Sequence, residues 1–317
     1  MNEVFYQKLR NILKENQVLV EEPLAKHTTF QIGGPADYLV LPETFLQVAG
    51  VINCCKETDM PFYVLGNGSN LLVSDKGYRG TVIKLGRNLS NITINERKTE
   101  ESSGHEEAKC FLVQAQSGVL LSKLASVIAE YGLAGFEFAA GIPGTLGGAV
   151  TMNAGAYGGE MKDCISGATL LDQNGNMLQL GKEELNLGYR KSIIQDRNYI
   201  VLDASFTLLQ GDKEEIRNRI TELNARRREK QPLEYPSAGS TFKRPEGYFA
   251  GKLIMDSGLR GYRVGNAQVS EKHCGFVINR GGATAEEVRT LISEVRQIVY
   301  HKFGVMLEPE IRFLGDF

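Results

Sequence analysis

The sequence predicts an α+β protein that contains more than one compact domain. Helical and strand-like hydrophobic patterns alternate along 317 residues, a length that allows two or three domains with separate cores. Glycine is overrepresented, at 35 residues or about 11% of the chain against a usual value of about 7%. Many of these glycines stand in two blocks, which indicates specialised backbone loops within an ordered fold.

Residues 1–85 predict a small α+β unit. An amphipathic helix is expected over residues 1–17, followed by the strand DYLVLP and the helix TFLQVAGVINCCKETD. The strand PFYVLG then leads through the turn NGSN into the strands LLVSD and GTVIKL. The glycine-containing turn therefore connects two strands.

Residues 86–210 predict a second unit of the same class. Its strands are ITIN, CFLVQAQSG and YIVLDASFTLLQ, its helix is LLSKLASVIAEYG, and the NG pair in CISGATLLDQNGNMLQL predicts a hairpin.

Residues 211–305 predict a third unit. It begins with the helix DKEEIRNRITELNARRREKQP and contains a second helix that starts with the capping-box pattern Thr284-x-x-Glu287. The chain then ends in a predicted strand, VMLEPEIRFLG, with Glu308, Glu310 and Arg312 on one face.

Composition argues against several classes of protein. The net charge of −2 provides no overall field for nucleic acid or an anionic membrane, and no apolar run reaches the roughly 18 residues of a membrane span. The five cysteines lack a C-x-x-C pattern, and no metal-ligand spacing is found among the histidines His27, His105, His273 and His301. We expect a cytoplasmic protein with reduced thiols and no metal.

The first glycine loop is LGNGSNL, from Leu65 to Leu71. Its glycines permit positive φ angles, and successive N–H groups in such a turn form a concave site for anions. The loop joins two strands, so it is not the dinucleotide fingerprint that opens a helix. A tight hairpin and a phosphate site both remain open.

The second block, AAGIPGTLGGAVTMNAGAYGGE, runs from Ala139 to Glu160 and holds seven glycines. Apolar residues are interleaved with them, and Glu160 is its one charged residue. This mixture predicts an ordered, partly buried loop against which a flat or phosphorylated group packs.

Three further segments carry candidate polar residues: GYRKS, with Tyr189 and Arg190; NARRREKQP, with Arg227 and Lys230; and YPSAGSTFKRPEG. The last predicts a turn, because Pro, Gly and Ser dominate it. Each is equally compatible with a solvent-exposed surface when taken alone.

Taken in order, these segments resemble the UDP-N-acetylenolpyruvoylglucosamine reductase (MurB) family over nearly the whole chain. The matching motifs are HTTFQIGGPA, LGNGSNLLVSD, GIPGTLGGAVTMNAGAYGGE, GYRKS, AGSTFKRP, AGKLIMDSGLRGYRVGNAQVSEKHCGFVIN and LEPEIRF. The short connection between Ser240 and Gly261 resembles the compact subclass of this family, which lacks an insertion in the substrate domain. Asn266 departs from the family pattern, in which a second glycine is expected.

The resemblance implies a two-part FAD-binding fold of the vanillyl-alcohol-oxidase (PCMH) type, over residues 1–85 and 86–210, with the C-terminal strand 306–317 returning to the first part. A substrate-binding domain is implied for residues 211–305. FAD is expected to bind noncovalently, since no residue is an obvious covalent anchor. The implied cofactor-binding residues are Leu65, Gly66, Asn67, Gly68, Ser69, Asn70, Leu71, Pro143, Gly144, Gly147, Gly148, Asn153, Gly155, Ala156 and Tyr157.

The resemblance also implies the reaction, a step of peptidoglycan precursor synthesis. NADPH reduces FAD and leaves, and the UDP-sugar enolpyruvyl ether then enters the same cleft of a monomer and takes a hydride. Arg190 matches the family's cation, Ser240 its proton donor and Glu310 the carboxylate that works with them at the enol intermediate.

The implied substrate-binding residues are Tyr189, Arg227, Lys230 and Lys243, with Arg227 and Lys230 expected at the UDP diphosphate. Lys243 is also a candidate to stabilise the serine alkoxide. Two alternatives stay open: a related flavin oxidase or dehydrogenase acting on an alcohol or sugar, and a sugar-nucleotide sensor that has lost flavin.

Overall fold

The computed structural model of the protein describes residues 2–97 and 109–317. His105 therefore lies outside the described residues. The helices are α1 (Glu3–Ile12), α2 (Phe45–Glu57), α3 (Leu121–Glu130), α4 (Leu146–Thr151), α5 (Met161–Cys164), α6 (Ile193–Arg197), α7 (Lys213–Lys230), α8 (Ala250–Asp256) and α9 (Ala285–Phe303). Within the described part of the chain, every helix is too short or too polar to cross a membrane.

The strands are β1 (Val18–Pro23), β2 (Pro35–Val40), β3 (Phe62–Leu65), β4 (Leu71–Val73), β5 (Tyr78–Lys84), β6 (Ile92–Arg97), β7 (Cys110–Gln116), β8 (Leu133–Ala134), β9 (Gly155–Ala156), β10 (Gly159–Glu160), β11 (Ile165–Leu171), β12 (Met177–Gly181), β13 (Ile200–Gln210), β14 (Ser237–Ser240), β15 (Arg263–Val264), β16 (Ala267–Val269), β17 (Phe276–Asn279) and β18 (Arg312–Leu314). Helices and strands of both units agree with the mixed α+β prediction.

The chain divides into two compact units, each made of three separate segments. Unit 1 comprises Met1–Val18, Val40–Asn67 and Val82–Arg227, and unit 2 comprises Leu19–Leu39, Gly68–Thr81 and Arg228–Phe317. Their boundaries differ from the three consecutive segments expected from the sequence, and those segments remain a prediction.

Unit 1 is built on an antiparallel sheet with the order β12-β11-β13-β7-β6, in which β8 also pairs with β13. The NG pair forms the predicted hairpin, because Leu171 pairs with Met177 and Gly175 has a φ of 77°. Buried residues of the sheet, such as Val113 and Phe206, form one core with those of α3 and α4. In the same unit, α1 packs against α2.

Unit 2 contains a second antiparallel sheet with the order β14-β17-β16-β15. The apolar face of α9 contributes to its core, and Thr284 and Glu287 form the predicted capping box at the start of that helix. Asp75 accepts two further N–H bonds there, from Ala285 (2.8 Å) and Glu286 (3.1 Å). The C-terminal strand β18 pairs in parallel with β4.

Four local predictions differ from the structure. The N-terminal helix, expected over residues 1–17, ends at Ile12. The segment expected as a turn before Ser240 is the strand β14, with an irregularity between its pairs Ser237–Ile278 and Ser240–Phe276. The C-terminal strand is shorter than predicted, since regular pairing is confined to Arg312–Leu314, with an isolated bridge at Pro309. The second glycine block, predicted as an ordered and partly buried loop, contains the short helix α4 and the β9–β10 hairpin.

Candidate functional site

The first half of the glycine loop lies against the second glycine block within unit 1. Asn67 donates from Nδ2 to the carbonyl of Pro143 at 2.6 Å. A Cβ atom on Gly66 would overlap the Thr145 hydroxyl, so only glycine permits this approach. The structure therefore places Gly66 and Asn67 against the Pro143–Thr145 segment.

The second half of the loop, Gly68–Leu71, belongs to unit 2. Gly68 has a φ of 63°, and a Cβ there would meet the main chain of His27 and Thr28. Asn70 donates from Nδ2 to the carbonyl of Glu310 at 3.2 Å and accepts at its own carbonyl from the N–H of Arg312 at 3.0 Å. This half of the loop is thus attached to the segment that carries Glu310.

The glycines of the second block are positioned by backbone contacts in unit 1. Gly147 donates its N–H to the carbonyl of Ser117 (2.8 Å), and a Cβ on Gly147 would come within 2.8 Å of the Ser117 Cβ. Gly155 and Ala156 form β9, while Tyr157, with a φ of 54°, and Gly158 make the turn to β10.

Asn153 fixes the end of this block. It is buried and has a φ of 43°; its Nδ2 donates to Glu160 Oε2 (2.7 Å) and to the carbonyl of Gly188 (3.0 Å), and its Oδ1 accepts from the N–H of Lys162 (2.9 Å). Because the side chain is fully used in protein contacts, Asn153 holds the loop in shape.

The second glycine block fits a large, flat, phosphorylated group such as FAD. Space around Gly158 is open where its Cβ would be, and Gly148 meets an atom only at 3.9 Å. No side chain therefore fills the space at these two glycines, and backbone N–H groups are suitable donors for phosphate oxygens.

Arg227 adds an uncompensated cation beside this block. Its Cδ lies 3.1 Å from the position of a Cβ on Gly141. Burial lowers the pKa of Arg227 from its usual value, while the nearby Tyr157 raises it. Within the described parts of unit 1, no carboxylate pairs with this guanidinium, whereas the adjacent Arg226 pairs with Glu222. A half-buried arginine without a carboxylate is suited to bind a phosphate.

Tyr189 and Arg190 occupy a two-residue turn of unit 1. Gly188 and Lys191 close it with mutual backbone hydrogen bonds of 2.9 and 3.1 Å. The Arg190 guanidinium carbon lies 5.3 Å from the centre of the Tyr189 ring, which is more than half exposed. Arg190 has a φ of 55°, an unusual backbone conformation for an arginine.

Ser240 and Glu310 lie on neighbouring segments of unit 2. The N–H of Glu310 donates to the carbonyl of Thr241 at 2.8 Å, and the N–H of Lys243 donates to the carbonyl of Glu308 at 2.9 Å. Gly239 has a φ of 76°, and the exposed Ser240 ends β14. The fold thus places the Glu310 backbone beside Thr241, the residue after Ser240, and the catalytic pairing of Ser240 with Glu310 stays a prediction.

Of the other two predicted cations, Lys243 is half-buried and Lys230 is exposed. Lys243 pairs through Nζ with Glu308, so its charge is partly neutralised. Lys230 lies at the exposed C-terminal end of α7. Near it, Lys272 donates from Nζ to the carbonyl of Arg228 at 2.7 Å.

Sequence reasoning missed several residues that hold these groups in place. Thr241 is buried and accepts at Oγ1 from the N–H of Val277 (2.9 Å), and Thr29 donates from Oγ1 to the carbonyl of Ser237 (2.7 Å). Gln195 donates to the carbonyl of Arg190 at 3.0 Å. The Thr241 and Thr29 contacts join residues 36 and 208 positions apart, so no local pattern indicated them.

Comparisons with known proteins agree with this arrangement. Residues 36–181 match the family model of an FAD binding domain, and residues 231–314 match the model of the UDP-N-acetylenolpyruvoylglucosamine reductase C-terminal domain. The two-part FAD-binding fold with a further C-terminal domain, predicted from the resemblance, is thereby confirmed.

Relatives that match along the whole of this chain indicate the same family. The chain is 57% identical over 316 residues to a UDP-N-acetylenolpyruvoylglucosamine reductase from Lachnoclostridium phytofermentans, covering 100% of this chain and 99% of that protein. It is 53% identical to the enzyme of the same name from Agathobacter rectalis, with both chains covered completely. The crystal structure of the reductase (MurB) from Thermus caldophilus superimposes with a TM-score of 0.74 at 35% identity, covering 94% of this chain and 98% of that one.

The alternatives of a sugar oxidase and a flavin-free sensor lose their support in view of this similarity. Cofactor, fold and reaction class follow together from matches that extend along the chain. The chain belongs to the UDP-N-acetylenolpyruvoylglucosamine reductase family, the FAD-dependent oxidoreductases of peptidoglycan precursor biosynthesis.

Proposed function

We propose that the protein uses NADPH to reduce UDP-N-acetylglucosamine enolpyruvate to UDP-N-acetylmuramate, with Ser240 as the proton donor. The observation that carries this proposal is the hydrogen bond between Glu310 and Thr241, which holds the Glu310 backbone beside the residue that follows Ser240. A hydroxyl and a carboxylate on adjacent segments are suited to general acid–base catalysis, in which one group donates a proton and the other accepts one.

FAD, when bound and reduced by NADPH, supplies a hydride to the β-carbon of the enol ether. The electron pair of the double bond then moves toward the substrate carboxylate, and the α-carbon must receive a proton. The Ser240 hydroxyl donates this proton, which leaves an alkoxide that solvent reprotonates. Serine is a weak acid, but it is sufficient here because the enolate carbon is strongly basic.

Arg190 stabilises the negative charge that develops on the substrate carboxylate. Its guanidinium carries two parallel N–H groups, which match a carboxylate in geometry. A fixed donor at developing charge is worth about 10²–10³ in rate in other enzymes. Glu310 assists Ser240 and Arg190 at the enol intermediate. Lys243, although paired with Glu308, carries a positive charge that stabilises the serine alkoxide.

The remaining residues bind and orient the two nucleotides. FAD is bound noncovalently by Leu65–Leu71, by Pro143, Gly144, Gly147 and Gly148, and by the segment around Gly155–Tyr157, with Asn153 holding the loop. Arg227 and Lys230 bind the UDP diphosphate, and Tyr189 contacts the substrate. The absence of a carboxylate partner within the described parts of unit 1 supports this role for Arg227.

NADPH and the UDP-sugar are proposed to occupy one cleft in turn, in a monomer that works in the cytoplasm, where both nucleotides are found. Anaerobic titration tests this scheme. The purified protein should be yellow, lose its flavin absorbance on addition of NADPH and recover it on addition of the enolpyruvyl substrate. A colourless protein, or one that a sugar rather than NADPH bleaches, contradicts the proposal.

A further inference from the structure

The turn that carries Arg190 is held in an uncommon conformation. The positive φ of Arg190 stands at the third position of a four-residue turn closed by Gly188 and Lys191, a position usually taken by glycine or asparagine. A residue with a long side chain adopts such a φ only when its surroundings impose it. Contacts from neighbouring residues therefore hold Arg190 in this conformation.

Two side chains attach this turn to the end of the second glycine block. Gln195 donates from one amide nitrogen to the carbonyls of Arg190 (3.0 Å) and Thr151 (2.8 Å). On the other side, Asn153 donates to the carbonyl of Gly188 at 3.0 Å. Through Gly188 and Arg190 the turn is thus connected to Asn153 and Thr151, at the C-terminal end of α4.

Ser192 holds the helix that carries Gln195 against the same Thr151 carbonyl. Ser192, which is fully buried, donates from Oγ to the same Thr151 carbonyl at 2.7 Å and caps α6, the helix that carries Gln195. The amide NH₂ group has two N–H bonds and can donate to both carbonyls, which neither a carboxylate nor an apolar side chain of similar length can do.

We propose that Gln195 is a positioning residue that fixes Arg190 relative to the FAD-binding glycine block, and that its amide sets the rate of the substrate half-reaction. This inference rests on the role proposed for Arg190. Without the bridge, the Arg190 backbone relaxes toward negative φ and its guanidinium moves away from the substrate carboxylate. A misplacement of about 1 Å reduces rates by about 100-fold in oriented active sites.

Anaerobic stopped-flow measurements on the holoenzyme test the proposal. In Gln195→Met, flavin reoxidation by the enolpyruvyl substrate should be about 10-fold to 100-fold slower, while flavin reduction by NADPH stays within about twofold of the wild type. Gln195→Glu keeps the length but repels both carbonyls, so it should slow reoxidation further. Gln173→Met is the matched control, because Gln173 also donates to a carbonyl near α6, that of Arg197 (3.2 Å), but is exposed.

A double-mutant cycle with Arg190→Met separates positioning from general stability. If Gln195 acts through Arg190, adding Gln195→Met to Arg190→Met produces little further loss. Multiplicative losses, or equal slowing of both half-reactions, overturn the positioning role. A normal Gln195→Met rate beside a slow Arg190→Met rate overturns the proposal for Gln195 alone, whereas a normal Arg190→Met rate overturns the function proposed for Arg190 and the role of Gln195 with it.

Discussion

Glu310 and Thr241 are joined through their backbones: the N–H of Glu310 donates to the Thr241 carbonyl at 2.8 Å. Thr241 also accepts at Oγ1 from the N–H of Val277 and donates its own N–H to the carbonyl of Gly275 (2.8 Å). Through these bonds the residue after Ser240 is fixed to β17 and to the segment of Glu310. Ser240, the proposed proton donor, therefore precedes a residue that three hydrogen bonds hold in unit 2.

Replacing Thr241 by valine should weaken this support. The change keeps the side-chain shape but leaves the buried N–H of Val277 without an acceptor, which costs about 1–3 kcal/mol of unfolding free energy. Urea unfolding measures the loss. Thr221→Val, on the exposed face of α7, is the control, and an equal loss in both variants would show that the Thr241 bond has no special role.

Removing the charge of Arg227 should weaken substrate binding. Arg227→Met is expected to lower the affinity for the UDP-sugar by about 10-fold or more, because a charge-assisted hydrogen bond is worth about 1.5–3 kcal/mol. Calorimetric titration of the oxidised holoenzyme measures it. Lys230→Ala should show a loss in the same direction.

Arg226→Met is the matched control for Arg227. Arg226 is exposed and pairs with Glu222, so its removal should leave substrate affinity nearly unchanged. Affinity of the apoprotein for FAD is measured in parallel. A loss of FAD affinity in Arg227→Met without a loss of UDP-sugar affinity would assign the guanidinium to the cofactor and refute its substrate role.

His273 should make the stability of unit 2 depend on pH. Burial lowers its pKa below the ordinary 6.5, although its backbone hydrogen bond opposes the shift, and its Nδ1 accepts from the N–H of Gly275 at 3.1 Å. The unfolded chain binds a proton at higher pH than the native protein, so stability is lost as pH falls below about 6.5 and levels off below the native pKa. His273→Asn should reduce this loss, and thermal unfolding between pH 5 and 8 checks it; an unchanged pH profile would exclude His273 as the cause.

Cys164 should be unreactive in the native protein. Burial raises the pKa of its thiol to about 12, and Asp163 adds to the shift, so almost no thiolate forms at pH 8. The other four cysteines, Cys54, Cys55, Cys110 and Cys274, are also buried and free. Labelling with a thiol reagent should be slow until denaturant is added, and rapid labelling of Cys164 in native protein would disagree with its burial.

Local signals in the sequence predicted the parts of the fold that depend on neighbouring residues. The Thr284–Glu287 capping box and the NG hairpin were correct because each is determined within four or five residues. The strand at Ser237–Ser240 was wrongly predicted as a turn, since Ser and Gly have low strand propensity and only pairing with β17 makes them extended.

The candidate site was predictable to a similar extent. The family motifs named Ser240, Arg190 and Glu310, but the contacts that hold them connect Asn70 with Glu310 and Gln195 with Thr151. Such pairs are separated by up to 240 positions. No hydrophobic period encodes a contact of that kind, so these supporting residues emerged only from the folded chain.

The proton-donor role of Ser240 is the central claim, and single-turnover reoxidation of the reduced enzyme tests it most directly. In Ser240→Ala, anaerobic reoxidation by the enolpyruvyl substrate should be slower by about 10²–10⁴-fold, the usual contribution of a general acid, while reduction by NADPH remains near normal. Reoxidation at the wild-type rate, or an equal loss in both half-reactions, would contradict the assignment of Ser240 as the proton donor.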